Sequence, residues 1–286
     1  MDRRDTLRTL RSLLFIPAIA PHLLPKATSR GADALIVDLE DSVPVARKLE
    51  ARAMAAQAVT ELAARNATVL VRVNVAPADY LLDLAALPLE RVAAVMLPKV
   101  ESTDDIERFA AALARHGAPD VPIAALLESP RAVLGAASIA AHPRLVALGF
   151  GVEDYAAAIG VPPTPVALMW PAQQVIAAAH AYGLGCWGLA ASIADVADLD
   201  AFGAAARTAR AIGFTGSVCI HPAQVPVLND GFSPSAAELD WAARVVAADA
   251  QARAEGQGAV LLDGRMIDLP IVERARRWLA GAGTRT

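Results

Sequence analysis

Residues 34–41 read ALIVDLED: four apolar residues in unbroken succession, then three acids within four positions. An uninterrupted apolar run is the mark of a parallel strand buried on both faces, whereas a half-solvated strand alternates. Six more segments have the same form. They are LLFIP (13–17), VLVRVN (69–74), AVMLPKVE (94–101), IAALLES (123–129), LVALGFGVED (145–154) and SVCIHP (217–222), and Ala-rich stretches long enough for helices separate them. Strands alternating with helices imply a parallel sheet. In a closed barrel of such strands, every C-terminal end opens onto one rim, where catalytic groups collect. Acids, an Arg and a Lys stand at those ends, which points to an enzyme.

The chain has 286 residues and is 55% hydrophobic. That suits one (β/α)8 barrel of roughly 250 residues with an extension. The domains expected are residues 10–231 as the barrel and 232–286 as a C-terminal cap of helix, hairpin (AVLLDGRMID) and helix, contributing to an oligomer and to the active site. A weak strand at Leu184–Leu189 completes eight units, with Gly185 and Gly188 against it. No GxGxxG or GxxxxGK[ST] follows the first strand, which removes the usual nucleotide-fold evidence.

Net charge is −4, with acids and bases interspersed, so there is no basic stripe for nucleic acid. Cys186 and Cys219 sit in apolar runs and read as buried thiols of a reducing compartment rather than a disulfide. Arg3, Arg4, Arg8 and Arg11 before SLLFIPAIA imitate a secretion signal. Pro17 interrupts that run, and the segment supplies the first strand, so a cytoplasmic protein is expected. No run approaches the ~18 apolar residues of a membrane span.

Strand alternation puts Asp38 and Glu40 on one face and Asp41 on the other. Buried acids are costly unless paired with cations or metal; a solvated, helix-capping turn is the plainer alternative. Arg72 and Asn74 share a face, and a buried Arg there demands a carboxylate, with Glu40 or Asp41 the natural partner. Glu128 and Asp154 end two successive strand units. With waters and substrate oxygens they would make a magnesium site, although Asp154 also suits a helix start. Lys99 would bind an anion or pair with Glu101; a Schiff-base role has no independent support.

In combination these segments are specific. RSLLFIP (11–17), GADALIVDLEDSV (31–43), VRVN, MLPKVES (96–102), LLESP (127–130), LGFGVEDYAAAIG (148–160), GFTGSVCIHPAQV (213–225) and LDGRMIDLP (262–270) occur in one order. In this the chain resembles the citrate lyase β-subunit-like proteins of the HpcH/HpaI aldolase superfamily, which includes malyl-CoA and citramalyl-CoA lyases. The resemblance implies a TIM barrel, homotrimeric or homohexameric, acting on acyl-CoA or 2-oxo acid substrates with magnesium. It assigns Glu128 and Asp154 to the metal, and Arg72 to the developing enolate. Glu40 and Asp41 become the acids around that arginine, and Asp268 a tail acid delivered by a neighbouring subunit. Arg11 and Lys26, with Lys99, become the substrate and CoA contacts.

The chain departs from the family pattern at Ala18, His22, Ala172 and Gly188, positions near the rim, which suggests a subgroup with another acyl acceptor or substrate. Three other readings stay open. They are a pyruvate-type aldolase without CoA, a citrate lyase β subunit acting on a carrier-bound citryl thioester, and a degenerate binder without turnover. The MID acid at Asp268 counts against the first, and the intact Arg72, Glu128, Asp154 and Asp268 set against the last.

Overall fold

The computed structural model describes residues 3–256 and 260–283, which divide into two compact units, Met1–Phe232 and Ser233–Thr286. The first unit holds eight parallel strands: β1 (Ser12–Pro17), β2 (Ala34–Asp38), β3 (Val69–Arg72), β4 (Ala94–Leu97), β5 (Ile123–Leu127), β6 (Leu145–Phe150), β7 (Gly185–Trp187) and β8 (Ser217–Cys219). Its helices are α1 (Arg3–Arg8), α2 (Leu24–Ala27), α3 (Lys48–Ala64), α4 (Pro77–Ala86), α5 (Thr103–Arg115), α6 (Pro130–Leu134), α7 (Ala136–Ala140), α8 (Val152–Ile159), α9 (Pro165–Ala181), α10 (Leu199–Ile212) and α11 (Gln224–Gly231).

The strands run β7-β6-β5-β4-β3-β2-β1-β8. One parallel bridge, Trp187 to Gly216, brings the two ends together, with Gly188 N–H donating to Gly216 O (2.9 Å) and Thr215 N–H to Cys186 O (2.7 Å). The sheet is therefore a nearly closed (β/α)8 barrel. Gly216 is required at the seam, because a Cβ there would lie 2.0 Å from Leu10 O. The seventh strand is three residues long, shorter than Leu184–Leu189, as its two glycines foretell.

Alternation along each strand sorts the side chains. Val37, Val71, Val95 and Leu127 pack under the helices, whereas Leu13, Ile36, Leu70, Met96, Ala124 and Leu126 fill the barrel interior. Leu7 of α1 and nearby Leu10 join that interior cluster, a contribution from the N-terminal segment not anticipated in the sequence. At the start of α5, the Ser102-Thr103-Asp104-Asp105 signal folds into a capping box, with Asp105 accepting from Ser102 N–H.

Both cysteines are free and buried, and desolvation pushes the Cys219 thiol up to about 12. No helix among the described residues is long and apolar enough to cross a membrane.

The second unit pairs α12 (Ala236–Ala254) with α13 (Leu269–Gly283) around Ala242, Val245, Ile267, Val272 and Ala275. Between these helices lies an antiparallel hairpin, β9 (Val260–Leu262) and β10 (Arg265–Ile267). Its turn places Asp263 at φ 51, a left-handed conformation that Asp tolerates better than most residues. Trp241 and Trp278 meet at 5.8 Å, with Arg274 over both rings. Asp268 is exposed at the start of α13, where its carbonyl accepts the Ile271 and Val272 N–H groups.

Candidate active site

Where β2, β3 and β5 end, the inward-facing position changes from hydrocarbon to charge: Ile36 gives way to Asp38, Leu70 to Arg72, and Leu126 to Glu128. These residues edge a cavity of about 450 Å³ at the C-terminal face of the barrel, with Asp154, the third residue of α8, also in its lining.

Arg72 organises the polar side. Its Nε and Nη2 donate to the two oxygens of Asp38 at 2.7 and 2.8 Å, a planar fork on a carboxylate. Asp38 also accepts from Glu40 N–H (3.0 Å) and Ser42 N–H (3.2 Å). Burial works to raise the Asp38 pKa, but the Arg72 bonds and charge outweigh it, and the carboxyl is held below its ordinary value. The expected partners of Arg72 were Glu40 or Asp41; Asp38 takes the bidentate position instead. Glu40 Oε2 lies 2.9 Å from Arg72 Nη1, and Asp41 3.6 Å away. The Arg72 guanidinium also stands 4.6 Å over the Phe15 ring. Its own proton is held more firmly than usual despite burial, because Asp38, Glu40 and Asp41 surround it.

Lys99 links the two acid groups. It follows Pro98 in a left-handed conformation (φ 52), which a non-glycine residue adopts at a cost. That conformation lets its backbone N–H donate to Glu128 Oε2 (2.7 Å) while Nζ donates to Glu40 Oε1 (2.9 Å). Lys99 thus pairs with Glu40 rather than Glu101, whose carboxylate accepts from Ser129 Oγ. Lys48, which the sequence reading passed over, donates to Leu39 O (2.6 Å) and Glu40 O (2.7 Å), fixing the backbone of the acid turn.

Glu128 is buried, and its pKa is pushed up to about 7: by desolvation first, and further by the Glu40 and Asp154 charges, against the Lys99 N–H. Gly151 allows this packing, since a Cβ there would sit 2.5 Å from Glu128 Oε1. Glu153, also in the cavity lining, accepts from Ser192 Oγ.

The carboxyls of Asp38, Glu40, Asp41, Glu128 and Asp154 thus meet two cations, Arg72 and Lys99. Glu40 Oε2 is buried without an aligned hydrogen bond. Asp38, Glu40 and Glu128 are buried and Asp41 and Asp154 exposed, and this surplus of negative charge suits a divalent ion with oxygen ligands. Among the described residues, no three His, Cys, Asp or Glu side chains are arranged to hold a metal alone. Glu128 and Asp154 would therefore need water or substrate oxygens to complete the shell.

Two expected contacts lie elsewhere. Arg11 precedes β1, at the opposite rim, where Nη2 and Nε bond Asp33 at 2.7 and 2.9 Å. That position pairs it with Asp33 and leaves it outside the lining of the cavity at the C-terminal face. Lys26 lines an adjoining cavity of about 460 Å³ with Arg30 and His221, and this cavity shares Phe15, Pro17 and Ile220 with the first.

Residues 11–222 match the family model described as HpcH/HpaI aldolase/citrate lyase. A (3S)-malyl-CoA thioesterase of Cereibacter sphaeroides is 35% identical over 280 residues, covering 95% of this chain and 94% of that protein. The citrate lyase subunit beta of Escherichia coli is 32% identical, covering 99% and 96%. Among solved structures, Mycobacterium tuberculosis CitE in complex with magnesium, acetoacetate and coenzyme A is 33% identical. It superposes with a TM-score of 0.75 over 97% of this chain and 100% of that one.

Proposed function

The chain belongs to the HpcH/HpaI aldolase/citrate lyase family of carbon–carbon lyases, and from that premise we propose that it cleaves, or in reverse forms, a 3-hydroxyacyl-CoA such as malyl-CoA or citramalyl-CoA, giving a 2-oxo acid and acetyl-CoA or a homologue. One observation carries the reading: a partly buried Arg, held by acids, stands beside a carboxyl pair suited to magnesium at the mouth of the barrel. Magnesium is the ion in the solved relative, and Glu128 and Asp154 are the residues that would hold it here. When bound, such an ion supplies Lewis acidity and a template for substrate oxygens.

This chain's own groups account for the remaining steps. α8 begins at the cavity, which Val152 and Glu153 line, and the amides of its first turn suit a substrate carboxylate. The hydroxyl proton passes to the Glu40–Asp41 pair. As the bond between the hydroxyl-bearing carbon and the thioester α-carbon breaks, its electron pair becomes the enolate, and Arg72 offsets the growing charge. An acid then protonates the α-carbon. Asp268 is proposed for that role, supplied by a neighbouring subunit of a trimer or hexamer, and Lys26 for the CoA phosphates. The support is the family resemblance and, for Asp268, its exposure.

Product analysis on a panel of hydroxyacyl-CoA esters with magnesium tests the reaction. The expected products are a 2-oxo acid and a shorter acyl-CoA. Free thiol with an intact hydroxy acid would replace the lyase by a thioesterase, the activity for which the Cereibacter relative is named. Cleavage of free hydroxy-oxo acids or of carrier-bound citryl alone would favour the aldolase or the citrate lyase subunit.

Assembly has its own test. Asp268→Ala and Glu128→Ala proteins, each inactive, should regain partial activity when mixed under conditions of subunit exchange. Exchange shown by mass spectrometry with no activity would leave Asp268 as a helix cap of its own chain.

A further inference from the structure

The cavity is divided by chemistry. Strands β2 to β5 present Asp38, Arg72 and Glu128, whereas β7, β8 and β1 present Trp187, Val218 and Phe15, which close the floor together with Leu126. Ile193 and Ile220 continue the hydrocarbon wall toward the mouth. We infer that the 2-oxo acid handled here carries a hydrocarbon substituent larger than methyl, and not a second carboxylate. This rests on the carbon–carbon lyase reading and narrows it: malyl-CoA and citramalyl-CoA, whose oxo acids carry hydrogen and methyl, give way to a longer homologue of the same class.

Three observations support it. First, Arg72 is the one cation among the described lining residues, and Asp38, Glu40 and Asp41 already surround it. A second carboxylate would meet further acids on one side and hydrocarbon on the other, where an unpaired charge is costly to bury. Second, the side-chain donors of the apolar half are not available in its place. Ser217 Oγ is engaged with Val218 O, and the Trp187 indole N–H, although unpartnered, is closed off from the cavity. Third, orientation follows from size. The thioester's carrier must leave through the open mouth, so the group that meets the buried floor belongs to the 2-oxo acid half. Trp187 and Leu126 at that floor are 1% and 6% exposed, so the group that reaches them meets hydrocarbon already withdrawn from water.

Calorimetric titration of the magnesium-loaded full chain with pyruvate, 2-oxobutyrate, 4-methyl-2-oxopentanoate and oxaloacetate tests this. Each added carbon should tighten binding by about fourfold, the scale of one buried methylene, and oxaloacetate should bind at least ~10-fold more weakly than pyruvate. Trp187→Ala should flatten the series. Should that core variant not fold, Ile220→Lys, at a half-exposed position, should move the oxaloacetate-to-pyruvate ratio at least ~10-fold toward oxaloacetate. Oxaloacetate binding as tightly as 4-methyl-2-oxopentanoate, or a ratio unmoved in Ile220→Lys, overturns the inference while leaving the lyase reading in place. Absence of binding by every oxo acid, with no cleavage in the ester panel, overturns both.

Discussion

Replacing Arg72 by lysine should lower kcat by at least ~100-fold, the scale of losing one donor to a developing oxyanion. Lysine keeps the charge but has no planar fork. It cannot hold both Asp38 oxygens at 2.7 and 2.8 Å and still present a donor edge 2.9 Å from Glu40. The reasoning separates turnover from folding. Asp38 retains the Glu40 and Ser42 N–H groups and a nearby cation, so the barrel should persist, with circular dichroism and a cooperative melt as the checks. Steady-state rates at saturating thioester read the effect directly. A variant of near-normal kcat would reduce Arg72 to a structural ion-pair partner.

Glu128→Gln should abolish the heat of magnesium binding and, with it, turnover. The side chain keeps its shape beside Gly151 and the Lys99 N–H but loses the charge that holds a hard cation. The pH dependence tells this apart from simple damage. With the Glu128 carboxyl pushed up to about 7 by burial and neighbouring acids, magnesium must displace its proton in acid solution. Wild-type affinity should therefore climb as pH rises through about 7, with proton release visible as a dependence on buffer ionisation heat. For the metal-free protein, the folded state holds this proton more tightly than the unfolded chain does. The stability it contributes is present below pH 4.5 and lost as pH rises through about 7. Metal-free Glu128→Gln should consequently melt above metal-free wild type at pH 8. Undiminished magnesium binding in Glu128→Gln, and likewise in Asp154→Ala, would move the metal elsewhere.

The parallel barrel was legible because burial on both faces leaves its trace in seven of the strands: apolar runs of three to six residues that stop at a polar rim. The rim acids and Arg72 were legible for the same reason, since a charge at the end of such a run must face the mouth or find a partner. Strand lengths were less so. Runs such as ALIVDLE and AVMLPKV extend beyond the strands at Ala34–Asp38 and Ala94–Leu97, where single bonds continue the pairing, from Leu39 N–H to Arg72 O and from Val100 N–H to Leu126 O.

Period-two alternation and the composition of each run depend on a residue's near neighbours, and they determined by themselves which segments are buried parallel strands and which polar residues stand at their C-terminal ends. Who pairs with whom is a matter of register between strands distant in sequence, and only the tertiary structure decided it. Asp38 lies opposite Arg72 in the β2–β3 ladder and so receives its fork ahead of Glu40. Arg11, read as a CoA contact, stands at the start of β1 beside Asp33 at the far rim. The left-handed turn at Lys99 aims a backbone N–H at a carboxylate 29 residues away, and the gathering of Phe15, Trp187 and Val218 into one apolar half needs the sheet to close. None of these has a local signature, because the first three arise from register between neighbouring strands and the last from the curvature that brings the two ends of the sheet together.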